Sequence, residues 1–341
     1  MIDEERETLR PAARSRTDLG FAKLTGERPV PRKSRRVWTA PDASVEAVLT
    51  AVIESCLEHI LANERPAYEG IDPEGVHQMR VGVRRLRSGL SLFSSLLPPE
   101  QVAPLREELR WLAGELGVAR DLDVFLEETI DPLFRRFSED PALERLRDET
   151  RELRAGSYTR VRRAIDSPRY PRLVLCLRHW LAARAWRGEP PVAEGERLLA
   201  PARDETGPLL EQRHQKVCIL GRRAAELSLD EKHRLRLQLK KLRYAAEFLR
   251  CVHCVEPAQA DRYIKRLAEL QDVLGRLNDV ATADRLLGEI LACMGPDTGP
   301  EHLRAAGFVT GWTAHRADRG EQALARRWKV FAEVEPFWTR A

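Results

Sequence analysis

The chain has 341 residues, 43% of them hydrophobic and 32% charged, enough to bury one large core or two smaller ones. Arg and Leu outweigh the β-branched and aromatic residues that strands prefer, which argues against a β-rich fold. Residues 1–40 hold ten Lys and Arg against six Asp and Glu and so carry the whole net charge of +4; the rest of the chain balances at 47 of each sign. Any anion site in the folded part must therefore arise from sorting charges onto faces, not from a global excess.

Residues 1–40 mix Arg, Pro, Ser and Gly without periodicity and end in Pro31-Arg32-Lys33-Ser34-Arg35-Arg36, which reads as a disordered or loosely attached basic tail. From Asp42 the pattern turns helical: Val45, Val48, Leu49, Val52, Ile53 and Cys56 repeat at threes and fours, to about Asn63. A second helix opens at Pro73-Glu74 and runs to Leu97, ahead of Pro98-Pro99. Leu105, Leu109, Leu112 and Leu116 make the seam of a third. A fourth covers about 141–166 and a fifth about 172–185. Gly188 to Gly195, with Pro190-Pro191, reads as a boundary between a first half of about 42–190 and a second of about 196–341. Helices resume at about 200–227, 230–253, 257–292 and 301–334, and no strand is expected.

No apolar run approaches about 18 residues, and no apolar segment of a leader is visible, so a cytoplasmic protein with no membrane span is expected. Its six cysteines are then reduced thiols. Cys251 and Cys254 form a CxxC around His253, but without a second pair at zinc-binding spacing no metal is expected; the residues read as the frayed end of the helix of about 230–253.

The most informative feature is an internal repeat. Residues 77–87 read HQMRVGVRRLR and residues 233–243 read HRLRLQLKKLR, a shift of 156 that places His77 on His233, Arg80 on Arg236, Arg84 on Lys240, Arg85 on Lys241 and Arg87 on Arg243. Farther on, LGVARD at 116–121 matches LGRLND at 274–279 at a shift of 158. At about 100° per residue, Met79, Val83, Leu86, Leu90 and Phe93 share one stripe, with His77, Arg80, Arg84 and Arg87 opposite and Arg85 flanking. In the second copy Leu235, Leu239, Leu242, Ala246 and Leu249 face inward while His233, Arg236, Lys240 and Arg243 face away. Residues 77–87 contain no acid, so their cations repel one another at i,i+3 and i,i+4 spacing. A single such face is ordinarily solvated surface. Duplicated and rich in Arg, whose planar fork grips phosphate oxygens, it reads as an anion site.

At these residues the chain resembles the CHAD family, the conserved histidine α-helical domains. The family pattern His-x-x-Arg-Val-x-x-Arg-Arg-Leu-Arg stands at 77–87, and its second-half counterpart at Lys240-Lys241-Leu242-Arg243-Tyr244-Ala245-Ala246-Glu247-Phe248. Leu-Gly-x-x-Arg-Asp-x-Asp, Leu-Gly-x-x-Asn-Asp and a late Gly311-Trp312 complete the likeness over about 42–341. The resemblance implies an all-α fold of two four-helix bundles related by pseudo-twofold symmetry, with a basic central channel binding inorganic polyphosphate. Some members associate with polyphosphate granules. It further implies that His77, Arg80, Arg84, Arg85, Arg87, His233, Arg236, Lys240, Lys241 and Arg243 line or border that channel. Many members also carry a CYTH-type triphosphate tunnel; residues 1–40 lack its Glu-x-Glu-x-Lys motif, so no triphosphatase activity is expected.

Hydrolysis of a phosphoanhydride ordinarily needs a carboxylate-held metal or a Gly-rich phosphate loop. Neither is visible, and no catalytic residue or cofactor is expected. Asp121, Asp123 and Asp279 read as partners of arginines or links between helices in preference to metal ligands. His77 and His233 read as ligand contacts or structural groups. Arg110, Arg151, Arg154, Arg162, Arg163, Lys265 and Arg276, on neighbouring helices, could complete the basic lining or simply pair with acids such as Glu107 or Glu152. Nucleic acid and acidic proteins are the competing partners; against nucleic acid, the basic faces carry no base-stacking platform, and Tyr244 is the nearest aromatic.

Overall fold

The computed structural model describes residues 28–187, 193–224, 226–253, 256–294 and 299–339. The fold is all-α. Helices run α1 Val45–Ala62, α2 Glu64–Glu69, α3 Pro73–Leu92, α4 Pro99–Phe125, α5 Asp131–Arg136, α6 Pro141–Asp166 and α7 Arg169–Ala182. They continue as α8 Ala193–Leu199, α9 Ala202–Gly221, α10 Leu229–His253, α11 Pro257–Met294 and α12 Pro300–Ala332. Among the described residues the one extended pairing is an isolated antiparallel bridge between Ser44 and Pro201. Part of the stretch expected as a boundary between halves lies outside the described residues, and its end opens α8.

The helices gather into two compact units. The first takes the chain up to Arg35 with Val52–Arg120 and Ser157–Glu196; the second takes Arg36–Ala51, Asp121–Gly156 and the chain from Arg197.

In the first unit α3 starts where Asp72 caps it, its carboxylate accepting from the Glu74 N–H at 2.8 Å with Pro73 in the first turn. Met79, Val83, Leu86, Leu90 and Phe93 are all fully buried, as the periodicity requires. A second buried stripe runs beside them, through Gly75, Gln78, Gly82, Arg85 and Gly89. Small residues in it permit close approach: a Cβ on Gly82 would meet Ile60 of α1 at 2.8 Å. The α3 helix ends at Leu92, short of the expected Leu97, although Leu96 and Leu97 are still buried. The α4 seam, Leu105, Leu109, Leu112 and Leu116, is buried throughout.

The chain ahead of α1 departs from the expectation of a loose tail. The buried Asn63 amide accepts from the Arg32 N–H at 2.8 Å and donates to the Arg32 carbonyl at 2.8 Å, and the ring of buried His59 contacts the same carbonyl at 3.0 Å. Both backbone polar groups of Arg32 are thus satisfied by buried side chains, which holds the segment in place without any periodicity to announce it. Val37 and Thr39 are also buried. Residues 1–27 lie outside the described residues.

In the second unit, Leu235, Leu239, Leu242 and Ala246 of α10 pack in one core with Val217 of α9, Leu267, Leu270 and Leu274 of α11, and Leu324 and Phe331 of α12. Between α4 and α5 the helix widens to one π turn, Leu126–Ile130. Pro132 has no N–H to give the Glu128 carbonyl four residues back; Arg316 of α12 supplies the donor at 2.6 Å and also grips the Glu128 carboxylate at 2.7 Å. The end of α10 is not frayed as expected: His253 is buried and its Nε2 contacts the Thr206 hydroxyl at 2.8 Å, while Cys254 lies outside the described residues.

The α2–α3 corner is the least tolerant point of the first unit, because a Cβ on Gly75 would sit 2.5 Å from the Pro66 carbonyl carbon, a backbone atom with no rotamer to yield. Gly75→Ala is expected to cost about 1–3 kcal/mol by overpacking, read as a lowered urea midpoint; an unchanged midpoint would mean that α2 shifts freely.

Candidate functional site

The α3 face of the first unit brings His77, Arg80, Arg84 and Arg87 together as expected, each half-buried. The α4 helix completes it. Gly117 lies against Arg80, where an added Cβ would stand 3.8 Å from Nε, and Arg120 faces His77. Burial pulls the His77 pKa down to about 4, helped by the charges of Arg120, Arg84 and Arg80, with Glu74 alone opposing. His77 is therefore a neutral imidazole at pH 7, ringed by guanidinium groups. The Arg84 Nε is buried and has no hydrogen-bond partner among the described residues. Arg87 also has a lowered pKa, from burial and then from Arg110 of α4, which places Arg110 with this group.

Arg85 does not belong to this face. It is buried in the second stripe of α3, and its charge acts on His59 of α1, whose Nε2 contacts Gln78 at 3.0 Å. Arg85 lies seven residues, nearly two turns, beyond Gln78, so the two stack on one side of the helix; the sequence placed it at the flank of the basic face.

In the second unit the copy is similar in plan and different in chemistry. His233 is exposed and its Nδ1 contacts the Asn278 amide oxygen at 2.8 Å. Each repeat histidine thus faces the matching residue of its own Leu-Gly element, Arg120 for His77 and Asn278 for His233. Arg236 faces Asp279, beside Arg316, Glu128 and Asp121. Burial raises the Asp279 pKa to about 6, the negative charges of Glu128 and Asp121 adding to the rise and Arg236 and Arg316 opposing it. Lys240 is half-buried. Lys241 is exposed along much of its length, yet desolvation near its ammonium, with the charges of Arg213 and Lys216 of α9, lowers its pKa. Arg243 lies 3.5 Å from Glu247 and over the ring of Tyr244, a residue 2% exposed.

The remaining basic residues divide. Arg154 is committed to the buried Asp123 at 2.6 Å, and Arg151 pairs with Asp148 at 3.3 Å instead of Glu152. Arg162 bonds Thr159 at 3.2 Å. Arg163, Lys265 and Arg276 are exposed. Asp121 is 3.5 Å from Arg285. The acids weighed as metal ligands thus stand beside arginines, and the described residues contain no group of three or more His, Cys, Asp or Glu placed to hold a metal. Among the described residues, no helix is long and apolar enough to cross a membrane. The site residues that periodicity missed, Arg120 and Asn278, were marked only by their place in the second repeated block.

The CHAD domain model matches residues 51–288. The chain belongs to the CHAD domain family. The crystal structure of the CHAD domain from the plant Ricinus communis superposes with a TM-score of 0.74 at 30% identity, covering 88% of this chain and 96% of that one. PptA from Streptomyces chartreusis shares the fold, with a TM-score of 0.65 at 18% identity over 84% of this chain and 100% of that one. Uncharacterized proteins from two strains of Mycobacterium tuberculosis are 28% identical over 289 residues, 83% of this chain. The CHAD chain spans about half the length of these relatives, 53%.

His77 gives a test of the crowded face. An unfolded histidine titrates near 6.5 and the folded one near 4, so below 6.5 the unfolded chain takes up a proton that the folded chain refuses. This contribution to stability is complete above pH 6.5 and is lost as pH falls towards 4. Urea midpoints of His77→Gln are expected to decline less steeply than wild type between pH 6.5 and 4; parallel curves would refute the neutral imidazole.

Proposed function

We propose that this CHAD chain binds inorganic polyphosphate through the basic faces of α3 and α10, without hydrolysing it, and that the binding attaches it to polyphosphate granules. The family is associated with polyphosphate binding, which supplies the ligand. The observation that carries the reading is the group around His77: the charges of Arg120, Arg84 and Arg80 all reach the imidazole, Glu74 opposes them there, and the Arg84 Nε has no hydrogen-bond partner among the described residues. Such crowding is unfavourable alone and is relieved when an anion threads between the cations. A chain of linked phosphates offers each guanidinium its own oxygens. The neutral His77 adds a ring nitrogen that can donate to a phosphoryl oxygen or accept from a neighbour.

The pairing of the acids supports the reading of binding without hydrolysis. Asp123 is held by Arg154 and Asp121 by Arg285, while half-buried Asp279 lies in the fields of Arg236 and Arg316, arrangements that orient cations. Nucleic acid is the weaker reading, because a ring 2% exposed, that of Tyr244, offers no platform to a base.

Titration with long-chain polyphosphate, single-stranded DNA and pyrophosphate at one salt concentration separates the ligands; polyphosphate is expected to bind tightest, and DNA binding of equal strength would sink the proposal. Arg84→Glu combined with Lys240→Glu is expected to weaken polyphosphate binding by roughly a hundredfold or more, since a hydrogen bond to a charged group contributes about 1.5–3 kcal/mol, while the helical circular-dichroism spectrum persists. Phosphate release with added Mg²⁺ or Mn²⁺ is expected to stay at background.

A further inference from the structure

Away from the α3 basic face, the first unit holds a cleft of about 340 Å³, inside the range of roughly 300–1,000 Å³ usual for small-molecule sites. The segment ahead of α1 forms one wall with Arg32, Lys33 and Arg35; Ser55, Glu58 and His59 of α1 form another; Arg178 of α7 closes it. Four cations thus meet one carboxylate. In a chain where arginines repeatedly pair with acids, none of these four takes part in an ion pair with another described residue. All four are exposed at the cleft while its floor is buried.

The wall is held in place before any ligand arrives. Asn63 and His59, 0% and 4% exposed, engage the Arg32 backbone, Asn63 at both its N–H and carbonyl and His59 at the carbonyl, so the side chains on either side of it project from a stable base. His59 is in turn held by Gln78. Such preorganisation lowers the entropy cost of gathering cations from a segment without helix or strand. Seven of the nine residues that line the cleft carry polar groups, and four of those are cations, so an anion is the ligand its charge favours.

We propose that this cleft is a second, separate anion site that takes a compact group of two or three linked phosphoryl units, either a free oligophosphate or the phosphate tail of a nucleotide. Three guanidiniums offer paired donors to phosphoryl oxygens and Lys33 a mobile point charge, while Glu58 repels any anion too weakly charged to engage all four. The site does not rest on the polyphosphate reading of α3, because none of its residues lies on that face.

Calorimetric titration of the full chain with inorganic tripolyphosphate tests it, using wild type, Lys33→Glu/Arg178→Glu and, as a control on the other face, Arg84→Glu. The cleft variant is expected to lose one binding event, or to bind it at least tenfold more weakly, and Arg84→Glu to retain that event. Lys33→Gln/Arg178→Gln, which only neutralises these exposed positions, is expected to weaken it in the same direction with an unchanged thermal midpoint. A repeat with ATP names the source: binding of both ligands assigns the cleft to a phosphate tail, and binding of tripolyphosphate alone assigns it to free oligophosphate. Wild-type stoichiometry and affinity in the cleft variant would overturn the site, as would a wild-type chain whose tripolyphosphate binding depends entirely on Arg84.

Discussion

Like charges crowded onto one side of a helix must be supported by something other than one another. In α3, His77, Arg80, Arg84 and Arg87 share a face with Arg120 opposite, and their repulsion opposes helix formation. What holds the helix is burial on its other sides: an apolar stripe from Met79 to Phe93, and a stripe of small and polar residues from Gly75 to Gly89 against which α1 and α2 pack closely. Each large apolar side chain in the first stripe contributes about 1.5–3 kcal/mol when fully buried, more than a pairwise repulsion between half-exposed cations takes away. The positions on α3 are thus strictly divided. Shifting the helix by one residue would move guanidiniums into the core.

The two repeats solve the same problem differently. Around His77 the charges of three arginines add to burial, and the imidazole gives up its proton. Around Arg236 the charge is balanced by a half-buried Asp279 whose proton is correspondingly harder to lose, and His233 is tied to an amide instead of facing a guanidinium. The replacement of Arg120 by Asn278 at the matching position makes this difference. The first repeat therefore concentrates positive charge and the second moderates it, so the two halves of an internal duplication need not contribute equally to an anion site.

Much of this was legible from the residues in order. Helix positions follow from a spacing of threes and fours, because burying one apolar face is what stabilises each helix most and periodicity reports that face directly. The outward set His77, Arg80, Arg84 and Arg87 was legible for the same reason. Arg85 was not: its neighbours in the buried stripe are Gln78, Gly82 and Gly89, and small or polar residues do not register as a face. Nor was the holding of Arg32, which depends on Asn63 reaching the same peptide from 31 residues away. The π turn likewise needed Pro132 and Arg316 to be seen together.

The sequence by itself determined the helices, their inner and outer faces and the duplication of a basic pattern, since all of these are local or periodic. Only the tertiary structure decided which cations stand together, which are committed to acids such as Asp123, and which are buried. Charge is a property of a residue, but its free energy depends on desolvation and on neighbours that the fold brings from distant positions.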